Sequence, residues 1–177
     1  MTKTTVTNLF ITVSLFMSTI TFAQTKMKEY KAGHIFNISI PDYMSKTADL
    51  NSSAAIQYKN EVKDIYGIVI YDTKEELGLL DMNYTSVNEF YEDFIKDFLK
   101  DEEKRDISKF KTTKKGDINF IETDASYFDK EINNSIYYFV GIVETKTTFY
   151  KVLSWSSLQD KDKYKADFQK ILYSVKE

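Results

Sequence analysis

Apolar residues recur at every second position in several stretches of this chain, and at every third or fourth position in two others. The first alternating stretch is 34–40, with Phe36, Ile38 and Ile40 on one face, Asn37 and Ser39 on the other, and Pro41 and Asp42 ending it. Residues 54–59 and 65–71 predict two more strands. The second of these is nearly all apolar, so it is expected to lie near the middle of a sheet, buried on both faces. A short helical turn is expected at 74–80. Four further strands follow at 107–114, 118–127, 136–144 and 147–156. Gly116 and Asp117 turn the first pair, residues 129–135 form a polar loop, and Thr145 with Lys146 makes a tight hairpin without the glycine that such a turn prefers.

Helical spacing is clearest at 86–99. Ser86 and Glu89 stand at the spacing of a capping box, and Val87, Phe90, Tyr91, Phe94, Ile95, Phe98 and Leu99 form one apolar stripe with Phe94 at its middle. The mixed run Asp101, Glu102, Glu103, Lys104, Arg105 and Asp106 reads as a solvated helix end. Ser157 and Asp160 mark a second cap, after which Tyr164, Phe168, Ile171 and Leu172 form an apolar face and Val175 closes the chain. Runs of adjacent strands imply hairpins. The expected class is therefore α+β, a central antiparallel sheet of about six to seven strands with helices packed on it.

The amino terminus follows a different logic. Lys3 precedes a mostly apolar run from Leu9 to Phe22, and Thr21 and Ala23 occupy positions −3 and −1 of a cut before Gln24. That is the pattern of a secretory signal peptide over residues 1–23, too short and too diluted by Ser and Thr for a span of about 20 apolar residues. The expected organisation is a leader and one domain over 24–177, located in the periplasm or outside the cell, with no stable membrane span once the leader is cut near Ala23 and Gln24.

Composition narrows the partners. Losing Lys3 with the leader takes the net charge from −3 to −4, and nothing resembles a basic stripe, so a nucleic-acid partner has no electrostatic support. The absence of cysteine excludes thiol chemistry, thiolate metal sites and a lipid-anchored cysteine after the leader. The abundance of Lys, Ile, Asn, Tyr and Phe, with a leader ending in Phe22, Ala23 and Gln24, points to a bacterial source.

A resemblance follows from particular residues. Ile35, Phe36, Asn37, Ile38, Ser39, Ile40, Pro41 and Asp42 resemble the strand-then-proline opening of PsbP/Mog1-like domains. The ending is similar too, running from Tyr137, Tyr138, Phe139 and Val140 through Phe149, Tyr150, Lys151 and Val152 to the helix that carries Phe168, Ile171, Leu172 and Val175. The resemblance covers most of 24–177 and implies an antiparallel sheet covered by helices. Members of that family serve as photosystem subunits, as binding partners of a small GTPase, or as exported proteins. None of their partner-binding residues matches a position here, so the resemblance implies a shape and no chemistry.

Catalytic candidates are few. His34 is the sole imidazole and no Gly-x-Ser-x-Gly elbow exists, which leaves a Ser-His-Asp system without a frame and zinc without ligands. Asp129, Glu131 and Asn133 alternate as the first ligands of a calcium loop would, but Asn134 stands where that loop needs glycine and Val140 where it needs glutamate. Glu122 and Asp124 share a strand face about 6.5–7 Å apart, a spacing compatible with glycoside hydrolysis and equally with a solvated sheet face. The aromatic residues Tyr137, Tyr138, Phe139, Phe149, Tyr150 and Trp155 crowd the last hairpin, where they serve either as core or as a binding platform.

The expected function is that of an exported, non-catalytic binding or accessory protein of the bacterial envelope, meeting another envelope protein or a small ligand, with no catalytic, cofactor or metal residue assigned. The rival is a secreted hydrolase using Glu122 and Asp124, assisted by calcium at the Asp129 loop.

Overall fold

A computed structural model describes residues 25–33 and 35–177. The leader expected at 1–23, its cut before Gln24, and His34 lie outside the described residues. Ten strands and three helices follow in the order β1 (Met27–Ala32), β2 (Phe36–Pro41), β3 (Ser45–Thr47), β4 (Ile56–Asn60), β5 (Ile65–Thr73), α1 (Lys74–Leu79), α2 (Val87–Asp97), β6 (Glu103–Ile107), β7 (Lys111–Lys115), β8 (Ile118–Asp129), β9 (Asn134–Glu144), β10 (Thr148–Ser157) and α3 (Lys161–Leu172).

Eight of the strands form one antiparallel sheet in the order β3-β4-β5-β10-β9-β8-β6, with β7 pairing the other half of β8's outer edge. This is the expected α+β class, with one or two strands more than its periodicity announced. β5 lies between β4 and β10, and Ile65, Ile68 and Val69 are buried as its apolar run requires. The stretch 34–40 departs from expectation. Its strand β2 pairs only with β1 in a separate hairpin, joined to the chain's end by the bridge between Asn37 and Lys176. The predicted alternation still holds, since Phe36, Ile38 and Ile40 are buried and packed against the large sheet's core.

One sheet face is covered by α3 and the β1–β2 hairpin. Phe168, Ile171 and Leu172 meet Phe139, Tyr150 and Val152 there. The other face is covered by α1 and α2, where Leu77, Val87, Phe90 and Tyr91 pack on Ile121, Ile142 and Phe149. Phe94, the middle of the predicted stripe, is only partly buried; the buried residues of α2 are Val87, Phe90 and Tyr91 in its first half. Beyond that half, α2 leans on the sheet through Phe94, Ile95 and Phe98.

The helix ends differ in detail from their signals. Ser86 accepts from the Glu89 amide, but the Glu89 carboxylate bonds the Thr85 amide, so the box is not reciprocal. The reciprocal box belongs to α1, between Thr73 and Glu76. The α2 amino terminus is held by buried Glu144, whose Oε2 accepts from the Val87 amide at 3.1 Å and favours the positive end of the helix dipole. Ser157 makes no side-chain cap; it precedes a single turn, Leu158–Asp160, and α3 starts after Asp160.

The charged run at 101–106 is a strand and a cap, not a solvated helix end. The backbone of β6 pairs with Phe128, Ser126 and Ala125, while the Arg105 guanidinium donates to the Ile95 and Phe98 carbonyls at 2.6 and 2.8 Å, closing α2. The expected strand 107–114 is interrupted at residues 108–110, because Ser108 bonds Asp124 through both its amide and its hydroxyl. At the β9–β10 turn, Lys146 and Thr147 both avoid positive φ. The turn is closed by the Thr145 hydroxyl, which accepts from the Thr148 amide at 3.1 Å, and this explains how it forms without glycine.

Candidate functional site

The aromatic hairpin divides by face. Tyr137, Phe139, Phe149 and Tyr150 are core, each no more than 1% exposed. Tyr138 and Trp155 point to the α2 face, at the end of the sheet that the helix leaves open, and both are only half-buried. Strand register places Trp155 opposite Tyr66 on β5 and opposite Tyr138 on β9. Tyr127 on β8 completes a diagonal row across four adjacent strands. Its rings stack at 5.6 Å and 19° for Tyr66 and Trp155, 5.3 Å and 26° for Trp155 and Tyr138, and 6.4 Å and 29° for Tyr138 and Tyr127. Such offset stacking is the arrangement that aromatic quadrupoles prefer. Phe98, just past α2, meets Tyr138 edge-on at 5.3 Å.

This row borders a cleft of about 200 Å³ between the turn before β5 and the β8–β9 loop. Ile132 and Ile136 line it from the loop side, while Asp64 and Asp129 supply its two charges, and no basic residue lines it. Asp64 sits in the left-handed region at φ 52°, ending the short turn Glu61–Lys63 and leading into β5. Asp129 accepts from the Glu131 and Ile132 amides through Oδ1, at 2.8 and 3.3 Å, and so shapes the loop. Burial, then the neighbouring Asp64, raises the Tyr66 phenol above its ordinary pKa. Burial, then Asp129, does the same for Tyr127, and Tyr138 is raised by burial first. The tyrosines therefore meet the cleft as neutral rings.

The carboxylates singled out from the sequence are placed elsewhere. Asp124 accepts from the Tyr137 hydroxyl at 2.8 Å and from Lys165 and Lys161 at 2.7 and 2.9 Å. Burial on its own would raise this carboxyl, but Lys165, Lys161 and Tyr137 hold it below the usual range. Glu122 accepts from Gln169 at 3.0 Å and from the Tyr173 hydroxyl at 2.8 Å. Both acids thus hold α3 and its C-terminal turn to the sheet. A glycosidase pair needs one carboxyl kept protonated, and the lysines on Asp124 push the other way.

In the loop that the rival reading gave to calcium, Asp129 spends Oδ1 on the turn, Glu131 is exposed and Asn133 adopts φ 50°. No group of three or more His, Cys, Asp or Glu side chains converges among the described residues. A broader hollow of about 620 Å³ lies beside the β9–β10 turn. Most of its polar groups are engaged in the fold: Lys74 bonds Glu144, Thr73 and Glu76 cap α1, and Glu177 accepts from Thr147 and Tyr150. Tyr66 and Tyr127 were not legible as site residues, because only strand register sets them beside Trp155.

The arrangement of sheet, hairpin and helices is that of PsbP/Mog1-like proteins. It is similar to the PsbP protein of the cyanobacterium Synechocystis, with a TM-score of 0.61 at 9% identity, covering 88% of this chain and 95% of that one. It is also similar to LpqN of Mycobacterium tuberculosis, a protein involved in cell envelope biogenesis, with a TM-score of 0.51 at 8% identity, covering 86% and 90%. At these identities the likeness establishes the fold alone. No protein-family profile and no curated protein sequence matches the chain. No helix among the described residues is long and apolar enough to cross a membrane.

Proposed function

We propose that this chain is an exported accessory protein of the bacterial envelope that works by binding, with its leader removed near Ala23 and Gln24 and no residue in a catalytic role. Support comes from the leader-like pattern of residues 1–23 and from the fold shared with LpqN, a protein involved in cell envelope biogenesis. The observation that carries the reading is the aromatic cleft. Tyr58, Phe120, Tyr137, Phe139, Phe149 and Tyr150 on this sheet are buried in core, whereas Tyr66, Tyr127, Tyr138 and Trp155 stay partly exposed around one concavity. Convergent aromatic residues with a few polar groups are the usual make-up of a ligand site.

The test is retention. The exported protein and a Tyr66→Ala, Tyr138→Ala variant are incubated with the native envelope fraction, passed through a sizing column and read by native mass spectrometry. A compound held unchanged by the wild type and lost by the variant supports the reading. Equal retention by both overturns the site, and a compound released as product overturns the non-catalytic role.

A further inference from the structure

We propose that the turn after α1, with the groove beside it, is a docking surface for a cationic segment of another protein that carries an apolar anchor. The cleft plays no part in it, because α1 leaves β5 after Thr73, opposite the end where Tyr66 stands. Two observations carry this. First, Leu79, Leu80 and Met82 are 80%, 70% and 40% exposed, the closest grouping of exposed large apolar side chains among the described residues. A formed turn holds them out: the Leu80 and Met82 amides both donate to the Leu77 carbonyl, at 3.0 and 2.9 Å, and Asp81 between them adopts φ 58°. Leu80, Met82, Tyr84, Phe90 and Phe94 line a groove of about 270 Å³ at the same place. Single exposed apolar residues need no explanation, but a fixed group of them at the mouth of an apolar groove marks an interaction site.

Second, the surroundings are acidic. Between residues 72 and 97 eight acidic residues stand against two basic ones, so this segment carries −6 while the whole chain carries −3. One of the two basic residues, Lys74, is spent on Glu144 at 2.7 Å. Asp72 and Asp97 pair with Lys151 and Lys100, whereas Glu75 and Asp81 are exposed and make no ion pair among the described residues. Charge of this sign selects the occupant: an anionic bilayer or an acidic protein is repelled, and a neutral surface leaves the field unused. An apolar anchor in the groove with Lys or Arg at its rim meets both features, as an amphipathic helix laid in a groove does.

The probe is an amphipathic helical peptide of leucine and lysine, with a leucine–glutamate peptide and a serine–lysine peptide as controls. Each is titrated into the isotope-labelled exported protein, and the amide shifts are followed residue by residue. The leucine–lysine peptide is expected to shift amides in 77–84 and 90–97 saturably. Each control lacks one half of the match and is expected to bind about tenfold more weakly or worse. In a Leu79→Ser, Leu80→Ser variant that advantage is expected to vanish while the urea midpoint stays at the wild-type value, since both side chains are exposed. A Glu75→Gln, Asp81→Asn variant is expected to bind more weakly and with less dependence on salt. Equal binding of either control, or shifts confined to the surroundings of Trp155, overturns the proposal. Sedimentation of the protein alone and with phosphatidylglycerol vesicles separates the other occupants. Self-association or vesicle binding that the Leu79→Ser, Leu80→Ser variant abolishes assigns the surface to a second copy or to a bilayer, and overturns the proposal too. The retention experiment above tests the cleft separately, whichever result is found here.

Discussion

Leu172 of α3 occupies the space that a side chain at Gly141 of β9 would need: a Cβ built on Gly141 falls 2.4 Å from Leu172 Cδ1. Leu172 is fully buried, so it cannot swing aside. This is how α3 comes close enough to the sheet for Lys161 and Lys165 to reach Asp124.

Gly141→Ala is therefore expected to lower stability by about 1–3 kcal/mol through overpacking. Leu172→Ala alone should cost about 2–5 kcal/mol as a cavity. In the double variant the new methyl enters the vacated space, so the combined loss should fall short of the sum. Urea unfolding of the three variants checks this, and strict additivity would contradict the contact.

On the other face, Phe90 stacks on Phe149 at 4.4 Å with the rings 5° from parallel. Phe90→Ala should cost about 3–5 kcal/mol, whereas exposed Asn88→Ala should stay within about 0.5 kcal/mol. Equal midpoints for the two would mean that α2 does not rest on the sheet.

Acid sensitivity should pass through Asp124. Its folded pKa lies below its unfolded value, about 3.9. The stability it contributes is thus complete above that unfolded value and is lost as pH falls through the folded one. Asp124→Asn should be less stable than wild type at pH 6, and the gap should close as the pH is lowered toward 3. Urea midpoints across that range test the sign, and a gap that widens on acidification would refute the assignment.

Export makes its own prediction. Mass spectrometry of the protein recovered outside the cytoplasm should show a chain starting at Gln24. A chain that still begins at Met1 would remove both the cleavage and the proposed location.

The long inner strands were legible as apolar stretches bounded by polar turns, nearly continuous in β5 and β9, and the two longer helices because their apolar residues recur at three and four. The edges were not. β1 and β6 are rich in Lys and Glu, as solvent-facing strands are, and only backbone pairing with a neighbour reveals them, while β7 was read only as part of one longer strand at 107–114. The same reasoning explains Glu122 and Asp124. Their spacing on β8 was readable, but Lys165, Gln169 and Tyr173, which they bond, sit forty or more residues away, on α3 and the turn that follows it. Tyr138 and Trp155 stood out in composition, while their separation from buried Tyr137 and Tyr150 followed from alternation. That they face an open cleft required knowing where α2 stops, which Arg105 decides from outside the helix.

The central claim is that the cleft beside Trp155 is where this protein binds its ligand. The most direct measurement is Trp155 emission on addition of the compound that the protein retains from its native envelope fraction. The account predicts a saturable change in the wild type that is lost in the Tyr66→Ala, Tyr138→Ala variant. Retention of that compound with Trp155 emission unchanged would place the binding elsewhere on the molecule and contradict the account.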